Sequence, residues 1–128
     1  MRKTDIAYLA GFFDGEGSVM LSRNKSGGLS IAVACSQNTR TVLDIYVRAF
    51  GGNVYEYRPP SRNSSMFQWR ANGQVGIDAL CSMRPWLLVK ALSSDEAFNA
   101  WECRYTKATV ESLVLAHRAR VHAEREAR

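Results

Sequence analysis

Residues 6–13 read Ile-Ala-Tyr-Leu-Ala-Gly-Phe-Phe, an apolar run with no polar stripe at helical spacing, preceded by Thr4 and Asp5 as capping residues and stopped by Gly15 and Gly17. A helix that is apolar almost all round must be covered on most sides, inside its own domain or between two chains. Ala7 and Gly11 lie four residues apart, and with neighbouring Ala10 they form a smooth strip that another backbone can approach closely. The run therefore predicts a buried first helix and a helix-to-helix contact.

A chain of 128 residues supports one ordinary core and not two, so a single domain is expected. No stretch reaches the roughly 18 consecutive apolar residues of a bilayer span, and no membrane partner is expected. Arg2-Lys3 ahead of the apolar run imitates the start of an export signal, but Asp5 interrupts it, Asp14 ends it, and no small-residue cleavage site follows. Cys35, Cys81 and Cys103 are odd in number and form no C-x-x-C pair, while His117 and His122 are five apart, off a common helical face. Neither a disulfide framework nor a zinc site is indicated, and a reducing intracellular compartment, bacterial cytoplasm or organelle, is the expected setting. Seventeen Lys and Arg against twelve Asp and Glu leave a net charge of +5, which admits a polyanionic partner, the more so if a second copy doubles it.

Beyond Gly17, Val19, Leu21 and Arg23 alternate with Met20, Ser22 and Asn24; past Gly27-Gly28, Leu29, Ile31, Val33 and Cys35 alternate with Ser30, Ala32 and Ala34. This predicts a strand, a glycine turn and a second strand. Helical spacing of Val42, Ile45, Tyr46 and Ala49 follows, ended by Gly51-Gly52. A second hairpin runs from Val54 to Arg58 and from Met66 to Arg70 around a Pro-containing loop, and Gln74 to Met83 reads as a helix stopped by Pro85. Ser93-x-x-Glu96 has the form of a capping box opening a helix through Phe98, Trp101 and Tyr105, and a polar, Arg-rich helical tail closes the chain. The order gives an α+β class with an antiparallel four-stranded sheet over a helical layer. Its outward face should carry Met20, Ser22, Asn24, Ser30, Ala32, Ala34, Glu56, Arg58, Met66, Gln68 and Arg70, polar and long side chains suited to base edges and phosphates.

Leu9-Ala-Gly-Phe-Phe-Asp-Gly-Glu-Gly17, followed by Ser18, resembles the LAGLIDADG motif of homing endonucleases, with Glu16 at its acidic position. The resemblance continues through Ser36-Gln37 after the second strand, Phe50-Gly51-Gly52 after the second helix, and Arg84-Pro85-Trp86-Leu87-Leu88-Val89-Lys90, over about residues 5–105. It implies an αββαββα-like fold with a saddle-shaped sheet and, here, an extra C-terminal helix over about 106–128. One motif copy resembles the single-motif members, which act as homodimers on partly palindromic double-stranded DNA. The resemblance implies a site-specific, Mg²⁺-dependent endonuclease, with Mn²⁺ able to substitute, whose gene spreads an intron or coding element.

In that reading Glu16 is the metal-binding and catalytic carboxylate, assisted by the Gly15 backbone carbonyl, because clustered carboxylates from two chains need a hard cation between them. Lys90 stands at the family's catalytic lysine and Gln37 at a water-positioning residue. Arg40 is expected to join the same basic pocket, and Ser22, Asn24, Ser30, Arg58, Gln68 and Arg70 to contact DNA. Ala7, Ala10, Gly11 and Asp14 are expected at the dimer interface, Asp14 in a structural and not a ligating role. Arg118, Arg120, Arg125 and Arg128, the last outside the residues described below, could follow phosphates, but Glu124 and Glu126 dilute them, which suits a solvated tail better. The rival reading is a binder without cleavage activity, an RNA maturase or a DNA-binding regulator on the same fold.

Overall fold

A computed structural model describes residues 1–127. The chain runs through helix α1 (Lys3–Glu16), strands β1 (Gly17–Arg23) and β2 (Leu29–Gln37), helix α2 (Thr41–Phe50), strands β3 (Asn53–Tyr57) and β4 (Met66–Asn72), helix α3 (Gly73–Met83), a short 3₁₀ turn (Arg84–Trp86), and helices α4 (Ala91–Glu102) and α5 (Lys107–Glu126). This is the expected αββαββα order, with two helices after it. The sheet order is β1-β2-β4-β3, every neighbour antiparallel, so two hairpins join through β2 and β4, and β1 and β3 are the edges.

Alternation along each strand sends Val19, Leu21, Ile31, Val33, Cys35, Trp69 and Ala71 into the core, where α1, α2 and α3 cover the sheet together with α4 and α5, which pack against β1. Trp69 stacks on Tyr46 with ring centroids 4.7 Å apart, and its indole N–H donates to Gly51 O at 2.9 Å. The Tyr46 hydroxyl donates to Leu9 O at 2.5 Å, fastening α2 to the middle of α1. Burial, then the neighbouring Cys35 and Tyr8, raises the Tyr46 phenol above its ordinary range, so it remains a proton donor in that bond.

Several local expectations give way to tertiary contacts. Helix α1 starts at Lys3, before Thr4 and Asp5, and the Asp5 carboxylate accepts the Arg2 backbone N–H at 3.2 Å. The helix also continues through Gly15 to Glu16, and the chain turns extended only at Gly17. Ser93 and Glu96 lie inside α4, not at its start, and both side chains face α5; Tyr105 lies beyond the helix end and is exposed.

The Arg-rich C-terminal segment is a docked helix and not a solvated tail. His117, 3% exposed, sits between α4 and the edge strand, with Nδ1 2.8 Å from Glu96 Oε1 and Nε2 3.2 Å from Val19 O. Both contacts are hydrogen bonds together only when the ring carries two protons. Arg120 Nε lies 2.9 Å from each Glu96 oxygen, and its Nη2 donates to Ser93 Oγ at 2.6 Å. Burial alone would raise the Glu96 carboxyl, but the bonds from Arg120 and His117 outweigh it and hold the group below the usual glutamate range. A depressed carboxylate contributes stability above its unfolded pKa, of about 4.3, and loses it as pH falls through the lower folded value. Glu96→Gln should therefore lower the thermal midpoint at pH 7, and the gap to the wild type should close in melts recorded at successively lower pH, down through that acidic range.

Candidate functional site

Asp14 faces away from the core near the end of α1, and both of its carboxylate oxygens are engaged. Oδ2 accepts the Leu88 N–H at 2.8 Å and Oδ1 the Lys90 N–H at 3.0 Å. These charge-assisted bonds tie the segment leading into α4 to the tip of α1 across more than seventy residues of sequence. On that segment Arg84 makes a two-pronged bond to Asp95 of α4, Nε to Oδ1 at 2.8 Å and Nη2 to Oδ2 at 2.9 Å. The bonds from Arg84 hold the Asp95 carboxyl below its ordinary range.

The consequence is that Gly15, Glu16 and Lys90 line one cavity of about 300 Å³, with Ser18, Ser93, Glu124 and Arg125. Glu16 ends α1 with its side chain exposed, and Lys90 caps α4 half-buried. Gly15 occupies the last turn, where carbonyls run out of helical N–H partners and are left for other donors or cations. Glu124 reaches the same cavity but is bonded to Arg120. Among the described residues no three His, Cys, Asp or Glu side chains group as a metal cage. Glu16 and the Gly15 carbonyl are oxygen donors of the kind Mg²⁺ prefers, an ion that keeps several waters of its own and takes one or two protein carboxylates.

The glycines of this segment divide in an informative way. A Cβ on Gly17 would fall 2.2 Å from Phe13 Cδ1, inside a fully buried ring, so the turn from α1 into β1 admits only glycine. A Cβ on Gly11 or Gly15 would meet nothing within 4 Å. Gly11 lies in the helix interior, where glycine costs about 0.5–1 kcal/mol relative to alanine, and nothing among the described residues requires Gly11 or the last-turn Gly15. They share an exposed strip of α1 with Tyr8, which is 59% exposed. Ala10, expected on that strip, is instead fully buried in the protein's own core, and Asp14 is spent within the chain; Ala7 is half-buried at the margin.

The outward face of the sheet is set by register. Ser22 pairs with Ser30, Met20 with Ala32, Ala34 with Arg70, Ser36 with Gln68, and Gln68 with Tyr55. Ser22, Ser30, Gln68 and Arg70 thus share the outer face as expected; Gln68 donates to Ser36 Oγ at 3.3 Å and Arg70 to Asn72 Oδ1 at 3.2 Å. The β3 parity is the reverse of expectation. Asn53, Tyr55 and Tyr57 occupy outward positions, Glu56 pairs with Phe67 on the Val54 side, and Arg58 lies past the strand end. Charge had marked Glu56 and Arg58, but the period of two is anchored by Val54 opposite buried Trp69, and those two residues identify the outward tyrosines.

Three further expectations are corrected. Asn24 belongs to the β1–β2 turn, where its Oδ1 accepts from the Ser26 N–H and hydroxyl and the Gly28 N–H, so that oxygen closes the hairpin and is not free for DNA. Arg40 pairs with Asp44 at 3.2 Å and lies 5.7 Å from the Phe67 ring centroid, outside the Glu16 cavity. Gln37 ends β2 two residues beyond Cys35, the partner of Gly17; it shares that end of the sheet without lining the cavity. Cys35 itself is no nucleophile, since burial and then the Glu16 charge push its thiol up to about 12.

No protein-family model matches the chain, and no curated protein matches it in sequence. Solved structures do. The homing endonuclease I-CvuI in complex with its target in the presence of calcium superposes with a TM-score of 0.70 at 19% identity, over 90% of this chain and 80% of that one. The archaeal intron-encoded homing endonuclease I-Vdi141I complexed with DNA gives 0.65 at 16% identity, over 91% and 83%. The LAGLIDADG homing endonuclease I-GzeII in complex with a DNA target gives 0.66 at 17%, over 89% of this chain but only 43% of that one. The fold is that of the LAGLIDADG homing endonucleases.

Removing the Asp14 carboxylate leaves two backbone N–H groups without their acceptor. Asp14→Ala should cost about 2 kcal/mol in urea unfolding, with the slope of the transition unchanged, at the commonly observed strength of bonds to charged groups.

Proposed function

We propose that this chain is a single-motif LAGLIDADG homing endonuclease that hydrolyses both strands of a partly palindromic DNA target as a homodimer with a divalent metal. The observation that carries this reading is the conjunction at α1: two helix glycines that nothing among the described residues requires, and a solvent-facing carboxylate at the tip of the same helix. A second α1 laid against Gly11 and Gly15 explains the glycines and brings a second Glu16 beside the first. Leu88 and Val89, 85% and 63% exposed next to that helix tip, become apolar flanks of the same contact. The share of I-GzeII matched, less than half, is consistent with one chain being half of a working unit.

Mg²⁺, or Mn²⁺ in its place, suits the paired Glu16 oxygens and the Gly15 carbonyls, and when bound supplies an acidified water together with positive charge for the phosphate. The chain's own contribution is positional. Asp14 holds Lys90 at the cavity, where its ammonium offsets charge developing on the phosphate oxygens. Ser22, Ser30, Gln68, Arg70 and the β3 tyrosines meet the duplex across the sheet. Such an enzyme acts where its DNA lies, inside the cell.

Two measurements test this. Selection of cut molecules from a random duplex library should return a partly palindromic sequence with Mg²⁺ present and none with Glu16→Gln, which should still bind the selected site. Binding without any nicking by the wild type, in Mg²⁺ and in Mn²⁺, would leave a DNA-binding regulator or, if RNA is the ligand retained, a maturase. For the interface, Gly11→Ala should stabilise the isolated fold by about 0.5–1 kcal/mol through helix propensity while shifting sedimentation toward monomer. A dimer unaffected by Gly11→Leu would contradict the glycine contact.

A further inference from the structure

The C-terminal half of helix α5 lies beside the edge strand β1, and a second cleft of about 420 Å³ opens between the helix and the outer face of the sheet. Ser22, Ser30 and Arg70 form the sheet wall; Arg118, His122 and Arg125 form the helix wall, at i, i+4 and i+7 on one face. The arginines of α5 therefore divide into two functions. Arg120 turns to α4 and is consumed by Glu96 and Glu124, whereas Arg118 and Arg125 face the sheet and pair with no carboxylate among the described residues. His122 has only Glu126, at 3.9 Å and exposed. Among the described residues no Asp or Glu lines the cleft, in a protein that carries twelve. Cations held together with no acid between them attract a polyanion.

The orientation is fixed by the network that docks α5. Glu96, through His117 and Arg120, sets the helix rotation, and with it the direction of the 118–122–125 face. Arg125 also lines the Glu16–Lys90 cavity, so the cleft beside the sheet and the candidate catalytic cavity meet at this side chain.

We infer that α5 is a phosphate clamp: Arg118 and Arg125 grip the sugar–phosphate backbone of duplex DNA along the β1 edge of the sheet and lead one strand to the Glu16 cavity, while the sheet reads the bases. This rests on the reading of the chain as DNA-binding. Phosphate contacts carry no sequence information, so the clamp is testable without knowledge of the target. A duplex of random sequence is titrated by fluorescence anisotropy without divalent metal, so that nothing is cut, over a range of KCl concentrations. Arg118→Gln and Arg125→Gln are compared with Arg2→Gln, which removes the same charge from an 85%-exposed side chain at the start of α1. Each clamp variant should flatten the plot of log affinity against log salt by about 0.9 for every phosphate no longer neutralised, hence about 1.8 for a dimer, with Arg2→Gln close to the wild type. Slopes equal to the wild type, an equal flattening by Arg2→Gln, or tighter binding by the clamp variants would overturn the assignment, the last showing that α5 covers the sheet instead. A wild type with no salt-dependent binding would overturn the DNA-binding reading itself.

Discussion

The bonds from Leu88 and Lys90 N–H to Asp14 are the joint on which the candidate site depends. Helix α1 could pack through Leu9, Ala10 and Phe13 without them, and α4 could dock through its alanines. Neither packing would bring Lys90 to Glu16. An acid two residues before Glu16 is thereby turned from a rival ligand into the anchor that delivers the basic partner. The two acids of the motif thus have separate fates: Asp14 is satisfied inside the chain, and Glu16 is left exposed at the helix tip.

Much of this was legible in the sequence, for a physical reason. Where one periodicity dominates, as in the hairpin of Val19, Leu21, Ile31 and Val33, burial of the apolar set leaves a single arrangement; the spacing of Val42, Ile45, Tyr46 and Ala49 marked the second helix, though its fully buried residues are Leu43 and Tyr46. The motif likewise drew attention to Glu16, Asp14 and Lys90, which lie together where the tip of α1 meets the start of α4. What failed was information that lives between elements. The parity of β3 depends on Val54 meeting Trp69 across the sheet, and charge at Glu56 and Arg58 misled. Ala10 and Gly11 are adjacent small residues, and only the packing of α1 decides that the first is buried and the second bare. Ser93-x-x-Glu96 has capping chemistry, but a buried His117 and Arg120 claim it.

The same distinction governs α5. Its composition reads as a mixed-charge solvated helix, because a sequence shows how many acids and bases there are and not which are already paired. Once Glu96 and Glu124 are assigned to Arg120, Arg118 and Arg125 remain, on one face with His122, and look at the sheet. A helix that reads as an appendage becomes one wall of the groove the sheet defines.

If one chain holds half of a shared metal site, the dependence of cleavage on Glu16 must be a property of the pair. Co-refolding wild-type and Glu16→Gln chains at a series of ratios, and measuring the total rate of strand cleavage on a cleavable target, tests this most directly. With both Glu16 carboxylates serving one site, only dimers with two wild-type chains cut, and the rate falls as the square of the wild-type fraction. A rate that falls in direct proportion to that fraction would mean that each Glu16 works alone, and would contradict a shared site.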